Sequence, residues 1–263
     1  MYDTLEIERS GQIATVWMNR PQVFNAFNEQ LIADLQHACE ALNAERSVRV
    51  VVLAGRGRHF SAGADLNWMR RAATASEADN LADARRFAKM LRTLSELTKP
   101  SIARVQGSAL GGGTGLVAAC DMAVASDDAV FSTSEVRFGI IPAVISPYVL
   151  RAIGPRQALR YFQSAEPIAA QRALALGLVH EVCAVDALDA TVAALTLPLL
   201  QGAPLAQRAA KDLIASVNGR SLDDTLMEET AQRIARQRAT VEGRDGIAAF
   251  LDKRPAQWLS GGR

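Results

Sequence analysis

Apolar and polar residues alternate over residues 4–9 and again over 12–19, with Ser10-Gly11 between them, a period-two pattern that predicts a β-hairpin. The period then changes. Asn28 precedes Leu31, Leu35, Ala38 and Leu42, spaced three and four apart, which predicts a helix capped by Asn28. The apolar run over 48–53, ending at Gly55, predicts a strand buried on both faces. Two similar turns of strand, glycine-rich loop and helix follow, with strands over 101–105 and 122–125 and a long helix over 79–97 stopped by Pro100. Residues 72–77 are small and polar and predict a mobile loop. From 186 onward the pattern is helical, over 186–200, 204–217, 222–239 and 242–251, with turn residues at Gly202, Asn218-Gly219 and Gly243. Strand–loop–helix recurrence predicts an α/β architecture with parallel strands, and periodicity alone suggests a doubly wound sheet.

Composition narrows the function classes. The 263 residues suit one large domain, or a domain with a small appendage, and can bury a sizeable core. A hydrophobic content of 49% with 22% charged residues is that of an ordinary globular chain. The net charge of +1 argues against partners of nucleic acid or anionic membrane. Cys39, Cys120 and Cys183 are odd in number and widely spaced in apolar contexts, as buried free thiols would be, not a disulfide framework. The N-terminal segment is acidic and alternating, unlike a targeting peptide, and no run approaches the roughly 18 apolar residues of a membrane span. A cytoplasmic location is expected. His37, His59 and His180 are far apart and lack acidic partners, so no metal is expected. Neither a Ser-His-Asp order nor a phosphate-binding loop is present.

Candidate chemistry lies in three segments. Gln106 to Asp121 places Gly111, Gly112 and Gly113 at the mouth of an apolar helix. Glycines there let a ligand oxygen approach the backbone, and a helix N-terminus points unpaired N–H groups at it. This is how a developing oxyanion is stabilised, although glycines before a helix also serve tight turns and close packing. A second glycine-bearing turn lies upstream in His59-Phe-Ser-Ala-Gly-Ala-Asp-Leu66. Downstream, Glu135 is the lone carboxylate of the segment 131–142.

These segments, in this order and spacing, together with Asn19-Arg-Pro, Asn25-Ala-Phe-Asn28 and Phe250-Leu-Asp-Lys-Arg254, resemble the crotonase (enoyl-CoA hydratase/isomerase) family over essentially the whole chain. The resemblance implies a crotonase-like spiral of ββα units over 1–185 that carries the active site. It also implies a C-terminal helical trimerisation region over 186–263. The implied activity is an enoyl-CoA hydratase, with Glu135 as acid/base and the backbone N–H groups of Ala64 and Gly112 as the oxyanion hole. Acyl-CoA is then the substrate and no cofactor is required. Its binding is expected from Ala62, Ala64, Asp65, Leu66, Asn67 and Gly112, with Lys253 meeting a phosphate. A homotrimer or hexamer is implied as well.

One departure stands out. Two-glutamate hydratases carry a carboxylate where this chain has Gly115. A hydratase with one sufficient glutamate, a Δ3–Δ2 enoyl-CoA isomerase and a non-catalytic binding scaffold are all compatible with that change. The stretches Ser134 to Pro147, Gly115 to Asp121 and Asp79 to Arg85 resemble a bacterial subgroup that lacks the first glutamate. That subgroup hydrates carboxylated branched esters such as 3-methylglutaconyl-CoA in leucine and acyclic-isoprenoid breakdown. Arg137, Arg70 and Arg71 flank the site segments, and an arginine fork holds a carboxylate bidentately.

Overall fold

The structure is a computed structural model that describes residues 2–260. The N-terminal alternation forms β1 (Leu5–Ser10) and β2 (Ile13–Met18), antiparallel from Leu5 opposite Met18 to Ser10 opposite Ile13. Asn28 caps α1 (Glu29–Ala44), its Oδ1 accepting from the Leu31 amide at 2.9 Å. The helix buries Leu31, Leu35, Ala38 and Leu42, each side chain worth about 1.5–3 kcal/mol of burial. Arg49 delays β3 (Val50–Gly55), its guanidinium turning away to donate to the Gly202 carbonyl. Along β3, Val51 and Leu53 enter one core while Val50 and Val52 enter another, so the strand is buried on both faces.

α2 (Leu66–Thr74) and α3 (Glu77–Ser95) are joined only by Ala75 and Ser76. The mobile loop expected over 72–77 is therefore a tight helical elbow. Asp79 N donates to Ser76 Oγ at 3.2 Å and Asn80 Nδ2 to the Ala72 carbonyl at 3.1 Å, which fixes both sides of the bend. β4 (Ser101–Val105), β5 (Ser108–Leu110), α4 (Gly112–Ala119), β6 (Met122–Ser126) and β7 (Val130–Ser132) follow. α5 (Ser146–Ser164) is broken at Gly154 (φ 74°), just before Pro155, and leads to β8 (Ile168–Ala169), α6 (Ala170–Leu176) and β9 (Glu181–Cys183).

The large sheet has the order β1-β2-β3-β4-β6-β9, parallel from β2 onward. A doubly wound sheet reverses its strand order at a switch point. Here the order advances in one direction only, so the periodicity-based expectation gives way to a spiral. β5, β7 and β8 form a second, small sheet, extended by single bridges from Ser61 to Ala109 and from Phe27 to Ala64. Each turn thus supplies a long strand, a short strand or bridge, and then helix: the ββα spiral.

α7 (Leu188–Gln201) packs Leu188 and Val192 onto Val50, Val52, Ile102 and Val124, covering the second face of the large sheet. The helical part expected from 186 therefore begins as a layer of the core itself. α8 (Pro204–Val217) is tied to the sheet by Lys211, whose Nζ donates to Asp121 Oδ2 at 2.8 Å and to the Leu97 carbonyl at 2.6 Å. α9 (Asp224–Ala239), α10 (Val241–Leu251) and the short α11 (Gln257–Ser260) lie beyond it. Asp223 sets the start of α9, two residues later than expected, by accepting from the Leu226 amide. Among the described residues no single helix is long and apolar enough to cross a membrane.

Candidate active site

The small sheet brings the three sequence segments side by side. Ser61 N donates to Ser108 O at 3.0 Å, Leu110 N to Ser61 O at 2.9 Å, and Gly111 N to Ser132 O at 2.7 Å. Phe27 N donates to Gly63 O at 2.7 Å and Asp65 N to Phe27 O at 2.8 Å. Ala64, Gly112 and Glu135 follow these paired stretches on neighbouring lanes of the same sheet. Gly63 (φ 88°) makes the crossing possible, since a Cβ there would stand 2.9 Å from the Leu110 carbonyl oxygen.

Among the described residues, neither Ala64 N nor Gly112 N finds a hydrogen-bond acceptor. For Gly112 the reason is position: it opens α4, where the first amides have no intrahelical partner and the helix dipole is positive. Ala64 precedes Asp65, the cap of α2, and is exposed. The Phe27 and Phe87 rings, 5.3 Å apart, stand against Gly112, and a Cβ added there would lie 2.9 Å from Phe87 Cζ. Both amides are therefore free, one of them beside an apolar wall.

Buried polar side chains hold these turns. Ser61 Oγ donates to the Asn25 carbonyl at 2.9 Å and accepts from Gly63 N at 3.3 Å. Asn25 Nδ2 donates to the carbonyls of Arg56 and His59, each at 2.9 Å, and its Oδ1 accepts from Arg20 N. Thr114 Oγ1 donates toward Ala109 O (2.7 Å) and Ser132 O (3.0 Å) and accepts from Ser132 N at 3.3 Å. It so ties the Gly112 turn to β7, the strand that leads to Glu135. Sequence reasoning missed Ser61 and Thr114. Their signal, a lone hydroxyl residue inside an otherwise apolar or glycine-rich stretch, is weak.

Glu135 opens a 3-10 turn, Glu135–Phe138. Its carboxylate leans on Gly111, where an added Cβ would meet Oε1 at 3.2 Å, and its Oε2 is buried without a hydrogen-bond partner among the described residues. Burial holds the carboxyl above its ordinary value. A carboxyl that burial makes easier to protonate, with one oxygen free of partners, is suited to give and take a proton. Beyond it Phe138, Ile140 and Ile141 are exposed apolar residues at the mouth of the turn.

The remaining expected residues fall into two groups. Asp65 is engaged internally: its Oδ2 accepts from Arg20 Nη2 at 3.0 Å and its Oδ1 from Asn67 N at 2.9 Å. Burial alone would raise this carboxyl, but those bonds and the Arg20 charge hold it below the usual range. Arg71 is likewise paired, with Glu29 at 2.6 Å, and Arg70 donates to Asn67 Oδ1 at 2.8 Å. Ala62 N donates to Phe24 O at 2.9 Å, and Leu66 is exposed. Arg137 is exposed and has no partner among the described residues, and neither does the Lys253 ammonium at the end of α10.

His59 Nδ1 accepts from Ser108 N at 3.0 Å, and burial lowers its pKa, so it is a neutral neighbour that braces the first turn. Burial pushes the Cys39 thiol up to about 12 and raises Cys120 as well, which leaves both unreactive.

Residues 8–261 match the family model described as enoyl-CoA hydratase/isomerase. The 2,3-dehydroadipyl-CoA hydratase of Escherichia coli is 35% identical over 251 residues, covering 95% of this chain and 96% of its own. The crotonyl-CoA hydratase of Syntrophomonas wolfei is 32% identical, with 98% and 99% covered. The crystal structure of an enoyl-CoA hydratase from Shewanella pealeana superimposes with a TM-score of 0.96 at 39% identity, covering 98% of this chain and 97% of that one.

Proposed function

The chain belongs to the enoyl-CoA hydratase/isomerase family, and from that membership we propose that it is a hydro-lyase adding water across the 2,3 double bond of a branched, carboxylated enoyl-CoA. The observation that carries the reading is the placement of two unpaired amides, Ala64 and Gly112, on the lanes beside Glu135, whose Oε2 is buried without a partner among the described residues. The thioester oxygen accepts from both amides, which stabilises the negative charge that gathers there as water attacks the β-carbon. Glu135 takes a proton from that water as the new C–O bond forms and the π electrons move toward the thioester. The enolate then collapses, taking the proton back from Glu135 onto the α-carbon. Atoms balance as substrate plus water. Replacing Glu135 by Gln keeps the shape and removes the basicity, and loss of the conjugated thioester absorbance should slow by at least about 10²-fold. Near-normal turnover would remove Glu135 from the role.

The carboxylated acyl group is supported by Arg137, an unpaired guanidinium two residues past Glu135, and by the dicarboxylic substrate in the Escherichia coli relative's name. A 3-methylglutaconyl-CoA-like ester fits that chemistry. Isomerisation of a 3-enoyl-CoA is the second reading, favoured by Gly115, since one base suffices to move one proton. Consumption of an unconjugated isomer in place of the conjugated one would select it. A homotrimer, or two stacked trimers, is part of the reading, because Leu222, Val241 and Phe250 are 97%, 80% and 83% exposed. In such an assembly Lys253, beside Phe250, meets a CoA phosphate.

A further inference from the structure

Gly115 lies one helical turn past Gly111 on α4, its amide donating to the Gly111 carbonyl at 3.1 Å. Gly111, against which the Glu135 carboxylate rests, is the cap of α4, and Gly115 is the fourth residue of that helix. A second acid projected from residue 115 would have to pass through the space beside it. That space is filled. A Cβ built on Gly115 would lie 2.2 Å from Ile145 Cγ2 and 2.8 Å from Ile145 Cβ.

A side-chain rotation relieves the first contact but not the second, because a Cβ is fixed by its own backbone. The backbone of Ile145 is held in turn: its carbonyl accepts from Tyr148 N and Val149 N, both at 3.1 Å, as α5 begins. Ile145 and Val149 are both buried, and Ile145 belongs to the main core. The place beside Gly115 is therefore not an empty gap: the Ile145 side chain fills it.

We propose that Ile145 is a specificity-determining residue: it occupies the place of a second acid, makes residues 115 and 145 sterically complementary, and commits the site to one-carboxylate chemistry. The proposal rests on Glu135 as the acid/base of the preceding section. An apolar wall stands where a second acceptor for water would be, so Glu135 alone orients the water and returns its proton.

The test is a cycle of Gly115→Glu, Ile145→Gly and the double variant, read by melting temperature and by the pH dependence of kcat/KM for a conjugated enoyl-CoA. Gly115→Glu alone overpacks the contact and should melt lower by about 5 °C or more. Gly115→Ala, carrying the same Cβ without charge, should also melt below the parent. Ile145→Gly removes both short contacts, so the double variant should melt above each single variant. Its kcat/KM profile should gain a second ionisation, as two carboxylates sharing a site titrate in separate steps. A Gly115→Glu protein with the parent's melting temperature and turnover would overturn the proposal. So would a double variant melting no higher than Gly115→Glu. Glu135→Gln in the parent separates the two levels: normal turnover there rejects the acid/base reading, while the melting cycle still decides whether 115 and 145 are complementary.

Discussion

The small sheet and the C-terminal helices are unfinished in opposite ways. In the small sheet the backbone is paired lane by lane, and Ser61, Asn25 and Thr114 satisfy one another's surroundings, yet the amides of Ala64 and Gly112 and one oxygen of Glu135 are left without partners. On α9, α10 and the turn before them one buried polar side-chain atom, Gln237 Nε2, lacks a partner among the described residues, and what stands uncovered is mostly apolar: Leu222, Met227, Val241, Phe250 and Leu251. Orphaned polar atoms in a packed cradle call for a small polar ligand, the buried Oε2 of Glu135 above all, because a buried polar group left unpaired costs about 1–3 kcal/mol. Orphaned apolar surface calls for another protein surface. One chain thus leaves polar groups open in one region and apolar surface bare in another.

Disturbing only the first kind of incompleteness should have the largest effect. In Gly112→Ala the new methyl meets the Phe87 and Phe27 rings, so the rings or the amide proposed to face the thioester must shift. Loss of one oxyanion donor costs about 10²- to 10³-fold in kcat. Turnover should fall on that scale while light scattering reports an unchanged assembly. An active Gly112→Ala enzyme would show that the donor lies elsewhere.

The next largest effect concerns the acyl group. If Arg137 receives a distal carboxylate, kcat/KM for 3-methylglutaconyl-CoA should exceed that for a neutral enoyl-CoA of similar length by roughly 30- to 150-fold, about 2–3 kcal/mol for a charge left unpaired. Arg137→Met should erase the preference by slowing the acidic ester alone. Equal efficiency on the two esters in the parent would discard the carboxylate and leave hydration untouched.

The second kind of incompleteness is probed by Phe250→Asp, which places a charge in the exposed apolar patch of α10. At so exposed a position the fold of one chain should change by only about 0.5 kcal/mol or less. The assembly should fall apart toward single chains by light scattering. An unchanged molar mass would place the interface on another face.

How much of this is legible in the sequence follows from how many residues carry each signal. α1 announces itself because Asn28 and four buried apolar residues recur over sixteen positions. β3 does so because six consecutive residues are buried. The spiral does not, because the second strand of each turn is a three-residue piece such as β5 or β7, or a single bridge, and three residues show no period. Periodicity therefore sees long strands alternating with helices and suggests a doubly wound sheet. The proposed oxyanion donors are backbone atoms and leave only the shadow of Gly63 and Gly111 around them. Glu135 stands out through its spacing from those glycines within a family pattern. Ile145 could not, since its meaning depends on Gly115, thirty residues away in sequence but a methyl's width away in the fold.

The smallest effect is on stability, and it separates the site from an ordinary surface. Burial raises the Glu135 carboxyl above its ordinary 4.5, so the folded chain favours the protonated acid more than the unfolded chain does. A group raised in this way contributes its full relative stability below the unfolded value and loses it as the pH climbs through the folded one. Above that window the native state holds a buried charge that it would be more stable without. Glu135→Gln carries no such charge. Its melting temperature should therefore exceed the parent's at neutral pH and converge on it as the pH falls toward 4. If Glu135→Gln and the parent melt together across that range, the Glu135 carboxyl is solvated in solution, and the cradle lacks the property proposed for a proton-transfer site.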